Sequence, residues 1–335
     1  MPAHAGVATA PGLAPAPAAV NRRPRRSLRA VRVAVFGAGG VGGYFGARLA
    51  ASGSDVTFIA RGAHLAAIRA RGLRVRAVDE DFTVRVAATD DPAEVGPVDH
   101  VLVAVKSYDT ENAGRRLTPL LGADTTVVSL QNGIENEEKL AALVGAEHVT
   151  GGVAYIFAHI AEPGVVQRTA APRSLVFGEL DGRRSERLDR LRSACEVAGF
   201  EATVSDHIQR VLWDKAALVG PMAAVTAAAR LPIASLLPVP ESKELYLTVV
   251  SEFAAVARAE GVDLAEDVVE QKLAFAEALG PDARNSLHND LEAGRRLELD
   301  ALVGAVLRRA RRHGVPVPAT AGVYALLRPW ELRAS

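Results

Sequence analysis

Val31–Gly46 reads VRVAVFGAGGVGGYFG. Val31, Val33, Val35 and Phe36 form a short apolar run of strand character, and Val41, Phe45 and Leu49 recur beyond it at helical spacing. Between the two stand Gly37, Gly39 and Gly42, in the GxGxxG spacing of a dinucleotide-binding turn. The string alone is a weak signal, and a strand before it with a helix after it makes it specific. Gly37 permits the tight turn, Gly39 lets a pyrophosphate approach the backbone, and Gly42 lets the helix close on the sheet. Gly37, Ala38, Gly39, Gly40, Val41 and Gly42 are therefore the candidate cofactor-binding residues, with the phosphates facing the helix N-terminus. A glycine-rich turn without a ligand is the bland alternative.

The second strand indicates which dinucleotide to expect. It runs from Asp55 to Ala60 and ends in Arg61-Gly62, with no carboxylate at its end to take the ribose 2′-hydroxyl of NAD. Arg61 carries a permanent, planar charge suited to a 2′-phosphate, so NADPH/NADP+ is the expected cofactor. A merely solvated arginine is the competing reading.

The chain has 335 residues, 49% hydrophobic and 23% charged, which is ordinary for a globular protein with room for two cores. Lys plus Arg and Asp plus Glu both number 39, so nothing in the charge balance suggests nucleic acid or a polybasic membrane contact. Cys195 is the only cysteine, which removes disulfide frameworks and fits a reducing cytoplasm. Residues 1–30, rich in Ala, Pro and then Arg, read as a disordered tail rather than an export signal. There is no run of 18 consecutive apolar residues, so no membrane span is expected.

Beyond Arg61, HVLVAV (100–105) and TTVVSL (125–130) are β-branched runs, with helical patterns at 63–71, 107–121 and 134–144. That alternation predicts a doubly wound α/β sheet of Rossmann type. VAYIFAHI (153–160) and SLVFGEL (174–180) read as added antiparallel edge strands. From Asp206 helical periods take over, at 206–230, 241–260, 264–279, 287–313 and 319–328. The expected organisation is a nucleotide-binding domain over 31–204 and an all-α domain over 205–330, the latter carrying substrate contacts and a homodimer interface.

A nicotinamide site must orient an acceptor carbon and supply a proton at its oxygen. The chain has only five lysines. Lys215 sits on an apolar helical stretch with Val219 and Ala223 as its next same-face neighbours, so partial desolvation would make it a readier proton donor. A snorkelling surface lysine is the alternative. Lys106 and Asn132 each follow a strand, at the carboxyl edge where open α/β sheets bind ligands, although a loop lysine and an Asn-Gly turn would look the same. Ser286 either contacts substrate or caps the helix starting near His288. Glu298, placed on that helix, either faces the ligand or pairs with Arg295. His288 reads as a helix-start residue. The eight histidines show no metal-ligand spacing.

GAGGVGGYFG, VAVKSYD, LQNG, LWDK and NSLHNDLEAGRRLELDALVG, in this order, resemble the ketopantoate reductase (2-dehydropantoate 2-reductase) family over about residues 31–330. The resemblance implies a Rossmann domain plus a helical domain, and NADPH-dependent reduction of 2-dehydropantoate to pantoate in pantothenate biosynthesis. It implies Lys215 as the general acid, with Glu298 near the nicotinamide ribose and the substrate hydroxyl. It further implies Ser286 on the substrate carboxylate, Asn132 and Lys106 around cofactor and substrate, and Arg61 on the 2′-phosphate. The chain departs from the family at Val219 and Ala223, where well-studied members carry substrate-facing asparagines, and at Asp109 and Ala283, where Gln and Asn are frequent. These changes point toward a more apolar 2-keto acid or ketone. An imine acceptor and a non-catalytic NADPH-binding regulator are the other readings.

Overall fold

The computed structural model describes residues 30–333. Nearly all of the Ala/Pro/Arg-rich segment 1–30 lies outside the described residues.

β1 (Arg32–Phe36) runs into the glycine turn and then α1 (Gly40–Ala51), β2 (Asp55–Ile59) and α2 (Gly62–Arg71). β3 (Leu73–Arg76), β4 (Asp81–Val84) and β5 (Ala87–Thr89) follow, then β6 (His100–Val103), α3 (Thr110–Gly114), β7 (Thr126–Ser129) and α4 (Asn136–Val144). β8 (Val149–Glu162) and β9 (Val165–Glu179) form a long hairpin, followed by α5 (Glu186–Val197) and β10 (Glu201–Val204). All ten strands belong to one sheet of order β4-β3-β9-β8-β7-β6-β1-β2-β5, with β10 beside β9. β7, β6, β1, β2 and β5 are mutually parallel, so their carboxyl ends share one edge. β6 and β7 are buried throughout, and β1 is buried beyond its first residue, as sheets covered on both faces require.

β8 and β9 pair antiparallel and add at the β7 side of the parallel strands, and β3 and β4 continue the sheet beyond them. The helix expected at 107–121 is instead a 3₁₀ turn, the short α3 and a second 3₁₀ turn containing Pro119, which cannot continue a helical ladder.

The rest of the described chain is helical: α6 (Ile208–Ala229), α7 (Ile233–Leu236), α8 (Pro240–Ala259), α9 (Val268–Glu277), α10 (Ser286–Glu292), α11 (Ala305–His313) and α12 (Pro318–Arg333). α6 is the one described helix long and apolar enough to cross a membrane, yet most of it is buried against its neighbours. Trp213 on α6, Tyr246 and Phe253 on α8 and Leu302 share one core, and each large side chain buried there contributes roughly 2 kcal/mol. The single helix expected over 287–313 is broken. α10 ends at Glu292, Gly294 takes a left-handed φ of 63°, and the chain is irregular until a π-helical turn at Asp300–Gly304 leads into α11. Glu298 therefore lies in the irregular segment just before that turn.

Candidate active site

The carboxyl ends of β1, β6 and β7 deliver three segments to one edge: the glycine turn, Lys106-Ser107 and Gln131-Asn132. Gly37 has φ 106°, and a Cβ there would lie 2.8 Å from the Ala104 carbonyl carbon. At Gly42 a Cβ would lie 2.1 Å from the Gly37 oxygen, so only glycine lets α1 start this close to the sheet. A Cβ on Gly39 would meet nothing within 4 Å. α1 has neither a side-chain cap nor an acid in its first turn, so its leading N–H groups have no partner from a capping side chain. Open space over Gly39 beside uncapped helical N–H groups fits a dinucleotide's pyrophosphate.

His64 on α2 supports this turn, a contribution the sequence reading missed. Its Nε2 contacts the Ala38 carbonyl at 2.8 Å, and its Nδ1 accepts from the Gly164 N–H at 3.0 Å. Those two partners assign the neutral Nε2–H tautomer, and burial lowers the ring's pKa. Arg61 occupies the N-cap of α2, with 82% of its side chain exposed and an ion pair to Asp109 at 3.1 Å.

Lys106 donates to Glu298 at 2.8 Å and to Asp290 at 2.9 Å, and the Ser107 N–H donates to the other Glu298 oxygen at 2.8 Å. Burial alone would lower the Lys106 pKa, but the two carboxylates outweigh it and hold the ammonium above its usual range. Glu298 therefore pairs with Lys106, while Arg295 is taken by Asp290 at 2.7 Å. This cluster fastens the end of β6 to the segment around α10. The Asn132 carbonyl accepts from Ser107 Oγ at 2.7 Å and from Asn136 Nδ2 at 2.9 Å, which fixes the backbone beneath the Asn132 side chain.

Lys215, half-buried on α6, donates to the Ala154 carbonyl at 2.9 Å, and its ammonium lies 6.0 Å from the centre of the Tyr155 ring. No carboxylate among the described residues forms an ion pair with it. Burial brings its pKa down to about 8, against the pull of Glu298's charge. It lines a small cavity with Asn132, Val153, Leu212, Val219 and Leu302. Lysine and two amides, Gln131 and Asn132, are the polar side chains of that lining, and the rest is largely aliphatic.

Some sequence-predicted residues are not brought to this cavity. Ala223 is fully buried in the helical core and does not line it. Ser286 is exposed at the first position of α10. The helix is capped instead by Asn285, whose Oδ1 accepts from the His288 N–H at 3.0 Å. Asn285 also donates to Thr226 on α6 at 2.7 Å, which ties α10 to the catalytic helix candidate.

The family model described as ketopantoate reductase PanE/ApbA matches residues 33–182, and its C-terminal counterpart matches residues 207–331. The chain belongs to the ketopantoate reductase family. A 2-dehydropantoate 2-reductase of Halobacterium salinarum is 36% identical over 86% of this chain and 95% of its own. The structure of a ketopantoate reductase from Ralstonia eutropha JMP134 is 36% identical, covers 90% of this chain and 99% of its own, and superposes with a TM-score of 0.84. A ternary structure of D-mandelate dehydrogenase with NADH and anilino(oxo)acetate is 25% identical, with a TM-score of 0.82, 90% of this chain and 99% of its own covered. Ketopantoate reductases are oxidoreductases, and the D-mandelate dehydrogenase neighbour was solved with the nicotinamide cofactor NADH.

Proposed function

We propose that this chain reduces a 2-keto acid to the 2-hydroxy acid with NADPH, with 2-dehydropantoate the first substrate to try. The observation that carries the proposal is the Lys215 ammonium, held with no carboxylate counter-ion among the described residues at the wall of a cavity on the carboxyl edge of the sheet. Gly37–Gly42 and the start of α1 would hold the pyrophosphate, and Arg61 a 2′-phosphate. When bound there, the reduced nicotinamide supplies the hydride. Lys215 gives its proton to the carbonyl oxygen as that oxygen gains charge, and a pKa of about 8 keeps it protonated yet willing to donate near neutral pH. Glu298, fixed by Lys106 and Ser107, and Asn132, fixed through its carbonyl, orient substrate and cofactor hydroxyl groups.

Val153, Leu212, Val219 and Leu302 favour a substrate whose tail carries no hydroxyl, in keeping with the aryl 2-oxo acid derivative held by the D-mandelate dehydrogenase structure. Steady-state NADPH oxidation over a panel of 2-keto acids tests both. The panel would include 2-dehydropantoate and acids with branched and aryl side chains. Turnover is expected with at least one, and fastest with those lacking the 4-hydroxyl. Oxidation with none of them would overturn the proposal, and tight coenzyme binding without turnover would identify a regulator.

A further inference from the structure

We propose that the Arg61–Asp109 ion pair sets the coenzyme selectivity of this chain and holds it to a modest preference, so that NADPH and NADH both serve. The inference rests on the reading that a dinucleotide lies across Gly37–Gly42.

Arg61 follows β2 and Asp109 follows β6, the two strands on either side of β1. The pair therefore flanks the glycine turn on the side where the second strand presents its terminal residue to an adenosine ribose. Arg61 Nη2 lies 3.1 Å from Asp109 Oδ2, with side chains 82% and 23% exposed, so the cation is the accessible partner and the carboxylate the anchored one. Asp109 is held from its backbone, its N–H donating to the Lys106 carbonyl at 2.8 Å. Among the described residues, Arg61 is the cation within ion-pair distance of Asp109.

The two side chains prefer opposite coenzymes. A 2′-phosphate is a multivalent acceptor. It attracts the Arg61 fork but must draw it from Asp109 and then sit beside that carboxylate. A 2′-hydroxyl is a donor, which Asp109 can accept while Arg61 stays where it is. Each coenzyme gains from one partner what it loses at the other, and the selectivity is compressed.

Direct fluorescence titration with NADPH and with NADH, on the full-length wild type, Asp109→Asn and Arg61→Ala, tests this without any substrate. Arg61 is largely exposed and Asp109→Asn is isosteric, so both variants should keep the fold. For the wild type, NADPH is expected to bind within about 50-fold of NADH. Asp109→Asn should raise that ratio about fivefold, the scale of an exposed ion pair, chiefly through tighter NADPH binding. Arg61→Ala should lower it about tenfold with NADH binding nearly unchanged. An unchanged ratio in Asp109→Asn, or a wild-type ratio above about 1,000, would overturn the proposal while leaving the nucleotide site intact. Failure of both coenzymes to bind the wild type would overturn the site itself.

Discussion

Replacing Lys106 by Met would leave two buried carboxylates without the cation they share. Glu298 and Asp290 have side chains only 7% and 9% exposed, at 2.8 and 2.9 Å from the Lys106 ammonium. Asp290 keeps Arg295, but Glu298 is left with the Ser107 N–H. Removing one partner of a fully buried pair costs about 3–5 kcal/mol. Lys106 is itself 40% exposed, and solvent screening reduces the expected loss to about 2 kcal/mol. Urea denaturation of Lys106→Met, Glu298→Gln and the double variant at neutral pH measures it. The double variant should be destabilised by at least ~1 kcal/mol less than the sum of the singles, because Gln at 298 no longer needs a cation. Additivity within about 0.5 kcal/mol would show that the cluster does not fasten the β6 end to the α10 segment.

His100 lies fully buried on β6, and burial is the main cause that pushes its pKa down from 6.5 to about 4. The unfolded chain therefore binds more protons across that window, and stability falls as pH drops from 6.5 to 4. Relative to His100→Leu, the wild type should lose about 3 kcal/mol over that range, read from denaturation midpoints, and a pH-independent difference would contradict it. Val219→Asn puts an amide among the aliphatic side chains Val153, Leu212 and Leu302 of the cavity and should shift kcat/KM toward a 4-hydroxylated 2-keto acid by about 2- to 12-fold over an unhydroxylated one. An unchanged ratio would place the substrate tail elsewhere.

The nucleotide turn was legible because its signals are local: glycine spacing, a β-branched strand and a helical period all lie within about twenty residues. β3, β4 and β5 were not, since LRVR, DFTV and AAT are only three or four residues long and two of them carry charges on their exposed positions. They are strands because of neighbours far away in sequence, β3 pairing with β9 for example. Within the site, the desolvated setting of Lys215 followed from its apolar helix. Glu298 was misplaced because Leu291 and Leu302 mimic a helical period across a break. Gly294 and the Asp290 carbonyl accepting from the Arg295 N–H at 2.8 Å end the helix there. Its pairing with Lys106 spans 192 residues, which no local pattern encodes. His64 was passed over because a lone histidine early in a helix carries no motif. Its role appears only once the Gly164 turn is packed against it.

The pH dependence of kcat/KM, measured with the best 2-keto acid for the wild type and for Lys215→Ala, bears on Lys215 itself. The wild type should be fully active below a pKa near 8 and lose activity above it as the ammonium deprotonates. Lys215→Ala should lack that limb and turn over about 10² times more slowly or worse. Near-normal turnover in Lys215→Ala, or the same basic limb without the lysine, would show that the proton comes from another group.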